Sequence, residues 1–130
     1  MNVVVDATVV VAALIDNGVN GRWAESILAK NQLAAPHLMP VEVANTLRRA
    51  VRAGDVGADV AAMAHADLLD LRVALFPYGR FAMRVWELRD NVTSYDAWYV
   101  ALAESLRAPL ATLDGKLTRA VGPRCGFRTP

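Results

Sequence analysis

The chain has 130 residues, of which 55% are hydrophobic, and its formal net charge at pH 7 is +1. This length predicts a single domain, residues 1–130, that is large enough to bury a core, and the composition excludes an intrinsically disordered protein. The small net charge excludes binding to nucleic acid through overall charge alone, although a local basic patch remains compatible with RNA.

Cysteine content and the N-terminal run bear on the compartment. Cys125 is the single cysteine, so the chain cannot form an internal disulfide, which is typical of a reducing cytoplasm. Asp6 interrupts the apolar N-terminal run, which argues against a signal peptide. No uncharged apolar stretch approaches the ~20 residues that span a bilayer. We therefore expect a cytoplasmic protein with no membrane partner.

Strands and helices are predicted to alternate along the chain. Short apolar runs that stop at an acid or a turn residue predict strands at 1–6, 33–35, 73–76 and 110–113, with a last edge strand at 125–127. Helical spacing and end signals predict helices at 8–15, 21–30, 40–54, 57–71, 81–88, 95–106 and 116–121. This alternation predicts an α/β protein, a three-layer α/β/α domain with a central parallel sheet of four to five strands.

Four acidic residues share a position at the end of an element. Asp6 and Asp114 each end a predicted strand, while Glu42 and Asp96 each lie in the first turn of a predicted helix. Open α/β sheets bind ligands at the edge where parallel strands end, so we expect these carboxylates to converge there. Converging carboxylates repel one another unless a cation neutralises them. Oxygen ligands without His or Cys suit Mg²⁺ or Mn²⁺, which typically act on phosphates.

The same four residues also fit a purely structural interpretation. Asp6 and Asp114 each precede a helix and have the side chain of an N-cap. Thr93 with Asp96 three residues later resembles a capping box, and Glu42 would favour the helix dipole. The residues alone leave both interpretations open.

Four segments together carry a resemblance to a known family. They are residues 3–8, 40–47, 94–104 and 110–114, and they contain the sequences VVVDAT, PVEVANTL, SYDAWYVALAE and LATLD. In this order and at this spacing, the chain resembles a PIN-domain ribonuclease, specifically a VapC-type toxin of a bacterial type II toxin–antitoxin pair. The resemblance covers essentially the whole chain.

The resemblance implies a metal-dependent endoribonuclease. Its catalytic acids would be Asp6, Glu42, Asp96 and Asp114, of which Asp6 and Asp96 would bind Mg²⁺, with Mn²⁺ as a substitute. Hydrogen-bonding residues that hold the carboxylates in place would be Thr8, Asn45, Ser94 and Thr112. The resemblance also implies a VapB-type antitoxin partner, an RNA substrate and a homodimer, without indicating which RNA is cut.

Other residues and other families fit less well. Trp23, Trp86 and Trp98 have the spacing of core residues, so we expect them to pack rather than to stack on bases. A haloacid-dehalogenase-type phosphatase would need a second Asp where Thr8 stands. A response-regulator receiver would need an acidic pair after the first strand and a Lys at the end of the last. The remaining alternative is a PIN-like binding module that acts only through its protein partner and cuts no RNA.

Overall fold

The computed structural model describes residues 2–130, so Met1, predicted to begin the first strand, lies outside the described residues. In this range the elements are β1 (Asn2–Val5), α1 (Ala7–Ile15), α2 (Val19–Lys30), β2 (Gln32–Pro36), α3 (Met39–Arg52), α4 (Ala58–Asp70), β3 (Val73–Phe76), a 3₁₀ turn (Gly79–Phe81), α5 (Ala82–Glu87), α6 (Ser94–Leu106), β4 (Leu110–Ala111), α7 (Gly115–Thr118) and β5 (Phe127–Arg128).

The five strands form one parallel sheet in the order β3-β2-β1-β4-β5. The chain runs outward from β1 to β3, then crosses back to β4 on the other side of β1. Right-handed crossovers therefore place α1–α4 on one face and α5 and α6 on the other. Accordingly α1 packs against α2, α3 and α4, while α6 packs across β1, β2 and β4. The predicted three-layer α/β/α fold is confirmed.

The centre of the core is the contact between β1 and α6. Val3, Val4 and Val5 are completely buried, as expected for a central parallel strand covered on both faces. Helix α6 is also buried over most of its circumference, including its run of residues 99–103. The order in which strands are added to the sheet reverses between β1 and β4, which opens a crevice at their carboxyl ends. The core therefore holds both β1 and α6, the two elements that lead into this crevice, in fixed positions.

Three C-terminal elements differ from the sequence prediction. Strand β4 stops at Ala111 rather than 113, because the Thr112 hydroxyl accepts a hydrogen bond from the Asp114 N–H (3.0 Å) and turns the chain. Helix α7 ends at Thr118 instead of 121. Strand β5 is Phe127–Arg128 rather than 125–127, since its register against β4 is set by the pairing of Leu110 with Phe127.

Trp86 corrects the expectation that all three tryptophans pack in the core. It is 65% exposed, because the six-residue helix α5 buries its other side through Val85. The Arg89 guanidinium lies 4.6 Å from the centre of its ring. Trp23 and Trp98 are partly buried against the core, as expected. Across residues 2–130, no helix combines the length and the apolar character needed to cross a membrane.

Candidate active site

Asp6 lies at the carboxyl end of β1 and is 5% exposed. Its Oδ1 accepts a hydrogen bond from the Thr8 hydroxyl (2.5 Å) and a longer one from the Val9 N–H (3.3 Å), which makes Asp6 the N-cap of α1. Its Oδ2 accepts a short hydrogen bond from the Thr112 hydroxyl. Two hydroxyls and a backbone amide therefore fix the orientation of this carboxylate.

The same threonines join the end of β1 to the loop after β4. The Leu113 N–H donates to the Thr8 hydroxyl oxygen at 3.0 Å, and the Asp114 N–H donates to that of Thr112 at the same distance. Asp114 then caps α7, with its Oδ1 accepting from the Lys116 N–H at 2.9 Å. The backbone that carries Asp114 is thus held relative to Asp6.

Asp96 and Glu42 approach from two helices. Asp96 is half-buried in the first turn of α6, where its N–H donates to the hydroxyl of the N-cap Thr93 (3.2 Å). Glu42 is half-buried in the first turn of α3. Its Oε1 accepts a 2.6 Å hydrogen bond from the hydroxyl of Tyr99, which is 1% exposed and belongs to α6. Helices α3 and α6 are therefore connected through the site.

The four acids act on one another electrostatically. Burial is the largest cause that raises the pKa values of Asp6, Glu42 and Asp96 above their ordinary ones. The charge of Asp96 raises the pKa of both Asp6 and Glu42, and the charge of Asp114 raises the pKa of Asp96. Hydrogen bonds from Thr112 and Thr8 to Asp6, and from Tyr99 to Glu42, oppose these increases. The structure thus brings all four predicted acids into one cluster, which we call the acid cluster.

The predicted supporting residues divide into two groups. Thr8 and Thr112 contact Asp6 directly. Asn45 instead is exposed, accepts a hydrogen bond from Arg48 Nε (3.0 Å) and lines the same cavity as Glu42. Ser94 is the exposed first residue of α6, and the preceding Thr93 takes the N-cap position.

Tyr99 is a site residue that the sequence analysis did not single out. A signal for it existed, because Tyr99 follows Asp96 by three residues and such residues share one face of a helix. Because Tyr99 lies within a long run of apolar residues, the pattern indicated an ordinary core residue. The hydroxyl group, which must find a partner when buried, was the informative feature.

The capping interpretation describes real hydrogen bonds but explains the acids one at a time. Asp6 and Asp114 do cap α1 and α7, and the Thr93 side chain does cap α6. Capping gives no reason for Asp6, Glu42 and Asp96, which lie on separate elements, to have their pKa values raised by the charges of other carboxylates. The same side chains therefore end elements and form the cluster, so capping and clustering do not exclude each other.

A cavity of about 1040 Å³ opens beside the acid cluster between α1 and α3. Thr8 and Glu42 line it, together with apolar side chains such as Val11 and Ile15. Arg49, two turns after Glu42 on α3, also lines it. The cavity therefore provides space for a ligand next to the carboxylates, with a cationic side chain within it.

The donor set suits a hard divalent cation. It consists of carboxylate and hydroxyl oxygens, and the charges acting on Asp6, Glu42 and Asp96 are those of other carboxylates. Within residues 2–130, no three acidic, histidine or cysteine side chains lie close enough to share one ion. Mg²⁺ usually takes only one or two protein carboxylates and keeps several waters, so a pair of carboxylates such as Asp6 and Asp96 would be sufficient for it.

Comparison with known proteins agrees with this geometry. The family model of the PIN domain matches residues 3–122. Ribonuclease VapC1 of Mycobacterium tuberculosis is 41% identical over 126 residues, which cover 96% of this chain and 95% of the relative.

Solved structures show the same fold. PAE2754 from Pyrobaculum aerophilum superimposes with a TM-score of 0.72 and 25% identity, covering 98% of this chain and 83% of the other. A chain of VapBC2 from Rickettsia felis, in a crystal structure with a DNA fragment from the promoter, superimposes with a TM-score of 0.69 and 14% identity. That match covers 99% of this chain and 98% of the other.

Proposed function

The chain belongs to the PIN-domain family and, within it, to the VapC ribonucleases, and on that premise we propose that it is a Mg²⁺-dependent endoribonuclease acting as the toxin of a type II toxin–antitoxin pair. Family membership confirms the expectation of a ribonuclease, and nucleases of this family generally depend on a divalent metal. The observation that carries the proposal is the acid cluster, whose carboxylates meet at the crevice between β1 and β4, where the charges that act on Asp6, Glu42 and Asp96 are those of other carboxylates.

Asp6 and Asp96 are the residues that would hold the ion. From residues 2–130, Oδ2 of Asp6 accepts one hydrogen bond, that of Thr112, and a carboxylate oxygen has room for a second interaction. Thr8 and Thr112 prevent this carboxylate from rotating away from the crevice. When bound, a divalent ion lowers the pKa of a water and stabilises charge on a scissile phosphate.

Glu42 and Asp114 complete the acidic pocket. Their negative charges favour cation binding and repel an RNA phosphate while the pocket is empty. The RNA phosphate should therefore enter the pocket only when the ion is bound. The adjacent cavity has space for an RNA strand that continues past the scissile bond. Arg49 provides a side chain suited to a neighbouring phosphate, because its guanidinium forms paired hydrogen bonds with phosphate oxygens.

An RNA cleavage assay tests the enzymatic part of this proposal. Purified protein should cut single-stranded RNA internally when Mg²⁺ or Mn²⁺ is present, and EDTA should stop the reaction. A protein that folds, stays unaffected by either ion in thermal melts and leaves RNA intact would instead support the alternative of a PIN-like module acting only through its partner. Sequencing the new RNA 5′ ends after brief expression would identify the target.

The toxin role predicts an antitoxin partner, and the VapBC2 structure contains a chain of the same fold. We propose a VapB-type antitoxin, a homodimeric toxin and a cytoplasmic location, where RNA and antitoxin are both present. Expression without the antitoxin should arrest growth, and co-expression of a small antitoxin protein that we expect to be encoded nearby should relieve the arrest. Normal growth despite full levels of active protein in its own host would contradict the toxin role.

A further inference from the structure

Tyr99 is the buried residue that connects the two helices of the acid cluster. Its side chain is 1% exposed, and its hydroxyl donates a 2.6 Å hydrogen bond to Oε1 of Glu42. Burial, the hydrogen bond to Glu42 and the charges of the acids together raise the pKa of Tyr99, so the hydroxyl stays protonated and keeps the hydrogen that it donates to Glu42. The phenol therefore serves as a fixed donor that points at one carboxylate.

Glu42 needs such a donor more than its neighbours do. Thr8 and Thr112 fix Asp6, whereas a glutamate side chain has three rotatable bonds and would leave the cluster unless it is held. The charges of Asp6 and Asp96 both repel Glu42, and the cavity beside it offers space into which it could turn. A donor on the rigid helix α6 opposes that movement.

We propose that Tyr99 is a positioning residue of the active site, whose hydroxyl holds the Glu42 carboxylate within the acid cluster. The inference rests on the proposed nuclease function and adds a residue to it. Asp96 and Tyr99 lie one turn apart on α6, so a single helix sets the place of one acid directly and of another through a hydrogen bond. Tyr99 itself is not expected to contact RNA.

The Tyr99→Phe variant tests this role because phenylalanine keeps the ring and its packing and removes the one hydroxyl. We expect kcat for RNA cleavage to fall about ten- to a hundredfold while KM stays unchanged, since a charge-assisted hydrogen bond near the chemistry is lost and the RNA contacts are kept. Assays run well below the melting temperature prevent unfolding from imitating lost catalysis.

Tyr78→Phe is the matched control. Tyr78 is 44% exposed and packs edge-on against Trp98. The same chemical change there should leave kcat and KM within about twofold of the parent. A Tyr99→Phe variant as active as this control, or one that changes KM alone, would overturn the proposal.

Carboxyl NMR gives a readout that is independent of activity. The chain has only four glutamates, so ¹³C labelling of glutamate yields four side-chain carboxyl signals. Tyr99→Phe should move the Glu42 signal and leave those of Glu25, Glu87 and Glu104 in place. Equal small changes in all four would mean that the hydroxyl does not hold Glu42, which would overturn the proposal.

A second variant leaves the buried residue intact. Glu42→Gln weakens the acceptor at a half-exposed position, and it should move the ring ¹³C signal of Tyr99 among the three tyrosines. An unmoved Tyr99 signal would refute the contact. If the parent protein shows these shifts but cuts no RNA with any divalent ion, the nuclease assignment fails while the Tyr99–Glu42 contact stands, so the two failures can be told apart.

Discussion

Helix α6 carries two acidic residues in contrasting surroundings, Asp96 at its start and Glu104 near its end. Glu104 accepts hydrogen bonds from Arg84 Nε at 2.7 Å, from Arg84 Nη2 at 3.1 Å and from the Arg124 N–H at 2.7 Å. Burial alone would raise its pKa, but these hydrogen bonds and the arginine charges lower it below the ordinary value. The pKa of Asp96, in contrast, is raised by burial and by the charge of Asp114.

The difference shows which carboxylates serve the fold and which are available for a ligand. Arg84 also donates to the Gly122 carbonyl (2.8 Å). We call Glu104, Arg84 and the backbone of Gly122 and Arg124 the Glu104 cluster, and it fastens the C-terminal segment to α5 and α6. A charge that is fully compensated has little attraction for a further cation. Among the described residues, the charges that act on Asp6, Glu42 and Asp96 are instead those of other carboxylates, and the hydrogen bonds to the carboxylates of Asp6 and Glu42 come from neutral hydroxyls and a backbone amide. Strongly perturbed, uncompensated groups of this kind are typical of functional sites.

The largest expected effect is the loss of RNA cleavage in Asp96→Asn. The variant keeps the side-chain shape and removes the charge of a metal ligand, so cleavage should fall at least about a hundredfold while the circular dichroism spectrum is unchanged. Asp67→Asn, the same change on the exposed side of α4, is the control and should cleave like the parent. Full activity of Asp96→Asn would remove the acid cluster from the mechanism.

The Glu104 cluster should respond in the opposite way, by losing stability and keeping activity. Glu104→Ala leaves the Arg84 guanidinium, whose side chain is 20% exposed, without its carboxylate, and we expect about 1–3 kcal/mol of destabilisation by urea unfolding. Below its melting temperature the variant should still cleave RNA at nearly the parental rate.

Glu87→Ala is the matched control for that variant. Glu87 is 61% exposed and lies 3.7 Å from Arg84, so its removal should cost less than about 0.5 kcal/mol. Equal destabilisation by the two substitutions would mean that the hydrogen bonds of Glu104 contribute no more than a surface ion pair.

The same contrast explains what the sequence could predict. Alternating apolar runs and cap residues gave the parallel α/β fold, because each strand and helix is marked locally by residues such as Pro40, Gly54 and Thr93. Asp6 was found because it stands where a buried strand ends, and Asp114 because it stands where the apolar run of residues 110–113 ends, which are positions that a one-dimensional pattern can show. The grouping with Glu42 then followed from the rule that parallel strands share one carboxyl edge.

Contacts between distant residues were not predictable in this way. Nothing in the pattern pairs Arg84 with Glu104 or Tyr99 with Glu42, since each pair joins elements whose relative placement depends on the whole fold. Strand β4 was predicted too long for a related reason. The side-chain hydrogen bond of Thr112 ends the strand, whereas its apolar neighbour Leu113 suggested that it continued.

A smaller effect separates two acids within the acid cluster. In EDTA, Asp6→Asn should destabilise the protein by about 0.5–2 kcal/mol, because the amide can accept from only one of the two threonine hydroxyls that now donate to Asp6. Asp96→Asn should change stability by less than about 0.5 kcal/mol or raise it, since removing its charge relieves repulsion. Thermal melts of both variants in EDTA test this. An Asp96→Asn variant that melts as low as Asp6→Asn would favour a capping role for both residues.

The smallest effect is a pH dependence of opposite sign in the two regions. Glu104 has a folded-state pKa below its ordinary value of 4.5, so its contribution to stability is present above that value and is lost as pH falls through the folded pKa. Asp96 has a folded-state pKa above its ordinary value of 3.8. The folded state then binds the proton more tightly, so this contribution is fully present below 3.8 and is lost as pH rises through the raised pKa.

Melting temperatures in EDTA should therefore be measured over roughly pH 3 to 7 for the parent, Glu104→Gln and Asp96→Asn. The advantage of the parent over Glu104→Gln should grow with pH, while its advantage over Asp96→Asn should shrink with pH. Two differences that move in the same direction would show that Asp96 is stabilised as a charged group like Glu104, and the acid cluster would then lack the uncompensated charge that attracts a metal ion.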